Sequence, residues 1–304
     1  MRRSDKRPHI NGRRLLLTLV ILFGLPGAVY FWYYHRPQPA NETRNLFEGV
    51  TYRRESRKSP RPIVLHLATV DLHAPGLRFV TTAAKTDDEL PFKGQLTTGF
   101  LKENKLSLAV NGDFFHPWQS DNFWDYYPHI GDPVDVNGVA ASEGKVYSSP
   151  KDISVRATLY LSEDNHASLT RPKKIYTAIG GHRLLRAGKY KWWETPALHP
   201  RTAVGIDKTG RYLYILIVDG RQPNYSEGLT PKETADLLME FGAWDGVNLD
   251  GGGSTTMVIA GKDGEPVILN SPIDQHIPGR ERPVANHFGL QARPLEGKPG
   301  VPQP

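Results

Sequence analysis

The chain has 304 residues, a formal net charge of +6, 29 glycines, 25 prolines and no cysteine. Absence of cysteine excludes disulfides, thiolate metal sites and cysteine nucleophiles, and the length suits one large domain or two small ones at roughly 100–200 residues each. Arg2, Arg3, Lys6, Arg7, Arg13 and Arg14 stand against Asp5 alone in the first 14 residues, so the basic balance belongs to the N-terminus. The remainder is near neutral and carries no electrostatic footprint for nucleic acid.

Residues 15–34 form an uncharged run of 20, long enough to span a bilayer as a helix. The basic flank before it predicts a cytoplasmic segment at 1–14, a transmembrane signal-anchor at 15–34 and an extracytoplasmic body, periplasmic beyond an inner membrane. A cleaved signal peptide is the competing reading. Pro26-Gly27-Ala28 makes a poor cleavage site, and bulky aromatics follow it.

Residues 35–59 are polar and proline-bearing and read as a stalk, with regular structure starting near Val50-Thr51-Tyr52. A globular domain is expected over 60–292 and a flexible tail over 293–304. Residues 63–70 and 77–80 are apolar and β-branched around Pro75-Gly76, the pattern of a hairpin. A short helix near 99–104 leads to a buried strand at 106–110, which delivers Asn111-Gly112-Asp113-Phe114-Phe115. Residues 116–150 read as a long, aromatic, substrate-facing loop with short strands, and 153–161 and 174–181 as strands. The 212–218 run is a buried strand ending at Asp219-Gly220-Arg221. Thr230-Pro231-Lys232-Glu233 then combines a capping box with proline at the first helical position. Ala235, Leu238, Phe241 and Trp244 follow at helical spacing, and 247–249 returns as a strand to Asp250. Another strand is expected over 254–260.

Two strand ends joined by one helix thus carry Asp219 and Asp250. If those strands are neighbours, both acids share the sheet edge where open α/β sheets place ligands. Asn248, Gly251, Gly252, Gly253, Ser254 and Thr255 surround Asp250, and bare glycine backbone suits an anion cradle. Arg201, Arg221, Arg280 and Arg282 add the cations that bind phosphate. Asn111 and Asp113 complete the candidate catalytic set with Asp219 and Asp250. Each residue alone has a plainer reading: Asp-Gly is common in turns, and Arg201 would suit a surface ion pair. His182, His199 and His276 lack metal spacing and read as surface or supporting residues. The glycine run is no P-loop, since no Gly-Lys-Ser/Thr follows and the segment enters a strand.

Pro200-Arg201-Thr202-Ala203-Val204-Gly205, Val218-Asp219-Gly220-Arg221, Asn248 to Thr255 and Arg280-Glu281-Arg282-Pro283-Val284-Ala285-Asn286, with Asn111-Gly112-Asp113-Phe114-Phe115, resemble the phosphodiester glycosidase family. That family includes N-acetylglucosamine-1-phosphodiester alpha-N-acetylglucosaminidases and exopolysaccharide-associated bacterial proteins. The resemblance covers roughly residues 60–292. It implies an α+β (mixed α/β) single domain with a large mixed β-sheet and a few helices. It also implies hydrolysis of a sugar-1-phosphodiester, with a glycosyl-phosphodiester or polysaccharide as partner. One departure is Asp113, where relatives often carry glycine.

The chemistry is self-consistent. The leaving phosphomonoester has its second ionisation near pH 6, so it needs charge neutralisation more than a strong acid. Arg201, Arg221 and Arg282 would supply it, with Asp250 or Asp219 as nucleophile, base or oxocarbenium stabiliser. Two alternatives stay open: a non-catalytic module for anionic glycans, and a phosphodiesterase that breaks P–O bonds with a divalent cation held by Asp113, Asp219 and Asp250.

Overall fold

The computed structural model describes residues 12–122, 124–149, 156–191 and 195–295. Gly12–His35 is one helix of 24 residues, apolar and fully outside the core, long enough to cross a membrane. It is α-helical except for a π-turn over Val20–Gly24.

Beyond it the chain is built mainly of strands, in two large packed sheets with a three-stranded and a two-stranded sheet beside them. The larger runs in the order Glu42–Phe47, Val50–Arg57, Ile63–Asp71, Tyr212–Val218, Arg201–Asp207, Ala243–Asn248, Thr177–Arg186, Ala140–Ser142, Lys145–Ser148. Arg156–Leu161 also pairs with Thr177–Arg186. The smaller runs Pro266–Ile268, Met257–Ala260, Leu108–Asn111, His287–Gln291, Arg78–Thr81. Every pairing among the described residues in both sheets is antiparallel, so the large sheet is not the mixed one expected.

Alternation explains why 212–218 reads as a continuous apolar run. Leu213, Ile215 and Ile217 enter the core between the sheets, with Val110, Val258 and Phe288. Tyr214, Leu216 and Val218 face the opposite way, where Ala235 and Leu238 of the Pro231–Glu240 helix cover them. Both faces of the strand are therefore dry. That helix starts as the sequence dictates: Thr230 Oγ1 accepts from Glu233 N, and the Glu233 side chain accepts from Thr230 N. Truncating a fully buried aromatic such as Phe288 would cost about 3–5 kcal/mol.

Three expectations are corrected. Residues 42–57 are two strands of the large sheet instead of a stalk, with Val50 and Tyr52 in the core. Their outward charges disguised them: Arg57, for example, pairs with Glu240 at 2.7 Å. Residues 63–71 and 78–81 form no hairpin, because the chain crosses between them from the large sheet to the small one. The Tyr212–Val218 and Ala243–Asn248 strands are not neighbours either. Arg201–Asp207 lies between them, antiparallel to both. The two strands consequently run in the same direction, and Asp219 and Asp250 do leave the sheet by one edge.

Candidate active site

At that edge the two sheets are tied together. Leu249 N donates to Thr202 O at 2.9 Å in the large sheet, and Asp250 N to Gly112 O at 2.9 Å beyond the small one. Asn111 Nδ2 donates to Asp250 O at 2.7 Å, while its Oδ1 accepts from Thr202 Oγ1 at 2.7 Å and Thr256 N at 3.2 Å. Asn111 is thus a fully buried clamp on the Asp250 backbone and is not part of the cavity wall.

A cavity of about 960 Å³ opens here, lined by Asp250, Arg201, Arg221, Arg282, His199 and the Gly251-Gly252 backbone, among others. Asp250 Oδ1 accepts from Gly251 N at 2.8 Å and Oδ2 from Ser254 Oγ at 2.6 Å. Burial pushes its carboxyl above the ordinary carboxylate value, against the pull of Arg282, Ser254, Gly251 and Arg221.

The three arginines are held individually. Arg201 donates from Nε to Leu229 O at 2.8 Å and from Nη2 to Ala197 O at 3.2 Å. Burial lowers it to about 10, so it stays charged at neutral pH. Arg221 has a left-handed backbone, φ 58°, which turns its guanidinium towards Gly252, and burial lowers its pKa as well. Arg282 donates from Nε to Asp274 Oδ1 at 2.7 Å and from Nη1 to Ser254 Oγ at 3.3 Å. Its guanidinium sits 5.1 Å from the Trp118 ring centre. Arg221 Nη2 lies 3.3 Å from His199 Nδ1. Burial and the charges of Arg221 and Arg201 depress the His199 pKa. A neutral imidazole accepting at Nδ1 fits this pair.

Two of the three glycine amides expected to cradle an anion are already used within the protein. Gly251 N is used by Asp250, and Gly252 N donates to Pro200 O at 2.9 Å. The glycines also provide room. A Cβ on Gly251 would stand 2.7 Å from Pro200 O, one on Gly252 2.9 Å from Arg221 Nη2, and one on Gly253 2.4 Å from Arg282 Nη2. Gly252 also needs φ +62°. The run lets two guanidinium groups lie against the backbone beside Asp250. Ser254 fixes the carboxylate, Thr255 is buried, and Asn248 Nδ2 donates to Leu249 O at 2.5 Å.

Asp219 and Asp113 stand apart from the cavity wall. Asp219 is fully buried; Oδ1 accepts from Ser271 N at 2.8 Å and Asn270 Nδ2 at 3.1 Å, and Oδ2 lies 3.2 Å from His66 Nε2. Tyr52 OH lies 2.8 Å from His66 Nδ1, so a proton on Nε2 lets both contacts form. Asp113 accepts from Phe114 N at 2.8 Å and pairs with Arg156. Gly138 and Gly180 leave the space it fills, since a Cβ on either would come within 2.5 Å of Asp113 Oδ2. Burial pushes its carboxyl up to about 6 in spite of Arg156. The expected working pair of Asp219 and Asp250 is therefore divided by the geometry. Asp113, Asp219 and Asp250 do not converge as a cation site either, and no group of three or more metal-ligating side chains occurs among the described residues. Arg280 lies off the cavity, with Nε 3.6 Å from Asp274 Oδ2 and its guanidinium 4.5 Å from the Tyr126 ring centre.

Several wall residues had little sequence signal. Trp118, Ser120, Asp121, Asn122 and Asn137 bring part of the 116–150 segment to the cavity, whereas Ala140–Ser142 and Lys145–Ser148 are strands of the large sheet. His199 and His276, read as surface or supporting residues, line it, as does Gln275. Gln275 and His276 hold φ of 53° and 57°, two successive left-handed non-glycine residues, a strain that structures keep chiefly at functional sites. Asp274, buried below them, orients Arg282.

The family model for phosphodiester glycosidases matches residues 104–291. The chain belongs to the phosphodiester glycosidase family. Three solved structures share the fold. One is the catalytic domain of zebrafish N-acetylglucosamine-1-phosphodiester alpha-N-acetylglucosaminidase, auto-inhibited by its pro-peptide. It has 21% identity and TM-score 0.55, with 86% of this chain and 93% of that chain covered. Another is a putative exported protein from Burkholderia pseudomallei K96243, with 12% identity, TM-score 0.59, and 84% and 98% covered. A hypothetical protein from Synechocystis has 14% identity, TM-score 0.55 and 84% of this chain covered; the chain spans 64% of its length. No curated protein matches the chain. Asp250, Arg201, Arg221 and Arg282 all lie inside the stretch matched as phosphodiester glycosidase, whereas Gly12–His35 and the first three strands of the large sheet precede it.

Proposed function

We propose that this phosphodiester glycosidase hydrolyses the glycosidic C–O bond of a sugar-1-phosphodiester in envelope or exopolysaccharide material. The observation that carries the reading is one carboxylate, Asp250, sharing a cavity wall with Arg201, Arg221 and Arg282. Water adds its oxygen to the anomeric carbon, and the bonding electrons leave with the phosphate oxygen. The second proton of that water passes to solvent through Asp250 or the departing phosphate. Asp250 faces the anomeric carbon as nucleophile or as base for the water, and the arginines hold the phosphate and neutralise its developing charge. No second acid has to protonate the leaving group, because a phosphomonoester is stable as an anion at neutral pH. This fits a site whose second strand-end acid, Asp219, is bound up elsewhere. The Gly12–His35 helix serves as a single-pass anchor with its basic flank in the cytoplasm and the domain in the periplasm.

Turnover of a panel of sugar-1-phosphodiesters by the purified full chain tests the assignment. Asp250→Asn should lower kcat by about 10³-fold, the middle of the range for positioned acid–base groups. Wild-type turnover in a folded Asp250→Asn protein would remove Asp250 from the reaction.

A further inference from the structure

The N-terminal helix does not hang from the domain on a free linker; its last turn is seated on it. Tyr33 OH hydrogen-bonds Ser271 Oγ. Arg36 lies between two aromatic rings, its guanidinium 3.6 Å from the Tyr33 ring centre and 3.7 Å from that of Tyr225. Its Nη2 donates to Gln222 Oε1 at 2.7 Å and Ser271 Oγ at 2.8 Å. Gln38 Nε2 then donates to Tyr225 O at 2.9 Å and Ile63 O at 3.1 Å. The cation–π contacts and the hydrogen bonds to the guanidinium act together at one residue.

The seat is the back of the cavity wall. Gln222 is the residue after Arg221, and Ser271 precedes Gln275 and His276 by four and five positions. With consecutive Cα atoms 3.8 Å apart, Gln275 and His276 stand at most roughly 20 Å from the Ser271 that the helix end touches. The polar zone of a bilayer is itself about 5–8 Å deep on each side of the hydrocarbon. The same wall carries Trp118 and, further along its loop, Trp124 and Ile130, all exposed. Ser120 of that loop accepts from Gln275 Nε2 at 2.7 Å, tying the loop to the segment that seats the helix. Exposed tryptophans are typical of membrane interfaces.

We propose that the cavity is held at the bilayer surface by the seated helix, and that its substrate is a membrane-borne glycosyl-1-phosphodiester, a sugar-1-phosphate esterified to a long-chain alcohol. This rests on the hydrolase reading above and names its substrate class. The reaction joins water to the sugar C1 and leaves the phosphate on the lipid as a monoester. The freed sugar diffuses away, and the arginines meet the phosphate at headgroup level.

The test uses the full chain in phosphatidylethanolamine–phosphatidylglycerol vesicles and two substrates with one sugar: a short-chain soluble diester and a long-chain diester in the same vesicles. A second protein carries about 20 Gly/Ser residues inserted between His35 and Arg36, a tether with a root-mean-square span of roughly 25 Å. The wild-type chain should prefer the long-chain diester. The insertion should lower turnover of that diester about tenfold, through lost effective concentration and orientation, and leave the soluble diester within about twofold. Equal turnover of both diesters by both proteins would overturn the membrane-borne substrate while leaving the hydrolase reading intact, as would an insertion that slows both alike. Turnover of neither diester by the wild-type chain would overturn the hydrolase reading and this inference with it.

Discussion

Asp250 combines burial with charge, and its pH behaviour follows from which of the two dominates. Burial raises its carboxyl above the ordinary range, while Arg282, Ser254, Gly251 and Arg221 pull it down. If the ionised form reacts, the acid limb of kcat/KM reports this group in the free enzyme. Arg282→Gln removes the largest opposing influence, so that limb should move to higher pH. Profiles of both proteins between pH 4 and 8 measure the shift; superimposable limbs would break the link between Arg282 and Asp250. The same direction bears on stability. A carboxyl raised in the folded state contributes fully below its unfolded value, near 3.9, and loses that contribution as pH rises through the folded value. At pH 7 the buried charge works against folding. Asp250→Asn should therefore melt no lower than the wild type while losing its activity, a separation of stability from function that a calorimetric scan at pH 7 would register.

Elements decide which acids share the work. Asp219 and Asp250 leave the same sheet edge, but the Arg201–Asp207 strand stands between their strands, and Asp219 turns inward to Ser271, Asn270 and His66. Asp219→Ala would leave those donors facing a hole. It should lower the unfolding free energy by about 3 kcal/mol and keep kcat within about tenfold, measured by denaturant titration beside turnover. A kcat loss as large as that of Asp250→Asn with unchanged unfolding would return Asp219 to the reaction. Local chemistry made much of this legible. The Thr230–Glu233 capping box, the apolar 212–218 run and the strand leading to Asp250 read directly from residue pattern. Arg201, Arg221, Arg282 and Asp250, named as one anion site, do share a wall. Partners fixed only by tertiary folding were not legible. Nothing in Asp219-Gly220-Arg221 says that the aspartate points inward and the arginine outward, and the left-handed backbone of Arg221 has no residue signature. Glycine in 251–253 announced a close approach but not of what, and guanidinium groups took the place expected for a ligand. Strands 42–47 and 50–57 were hidden because their outer faces are charged and ion-paired, so alternation was masked by arginine.

For the whole molecule, two sheets closing on one core carry an arginine-walled cavity at the edge where their strand ends meet, and an apolar helix is seated behind that wall. This layout assigns separate tasks: the sheets fix the backbone of Asp250 and present Arg201, the loops bring in Arg221 and Arg282, and the helix, in our proposal, sets where the cavity stands. Each task depends on the central claim that the arginines hold a leaving phosphate while Asp250 serves the sugar carbon. The fate of the water oxygen tests that claim most directly. Hydrolysis of a turned-over sugar-1-phosphodiester in ¹⁸O-labelled water should place the label on the sugar C1 hydroxyl and leave the phosphomonoester unlabelled. Label in the phosphate would mean P–O cleavage and would contradict the account.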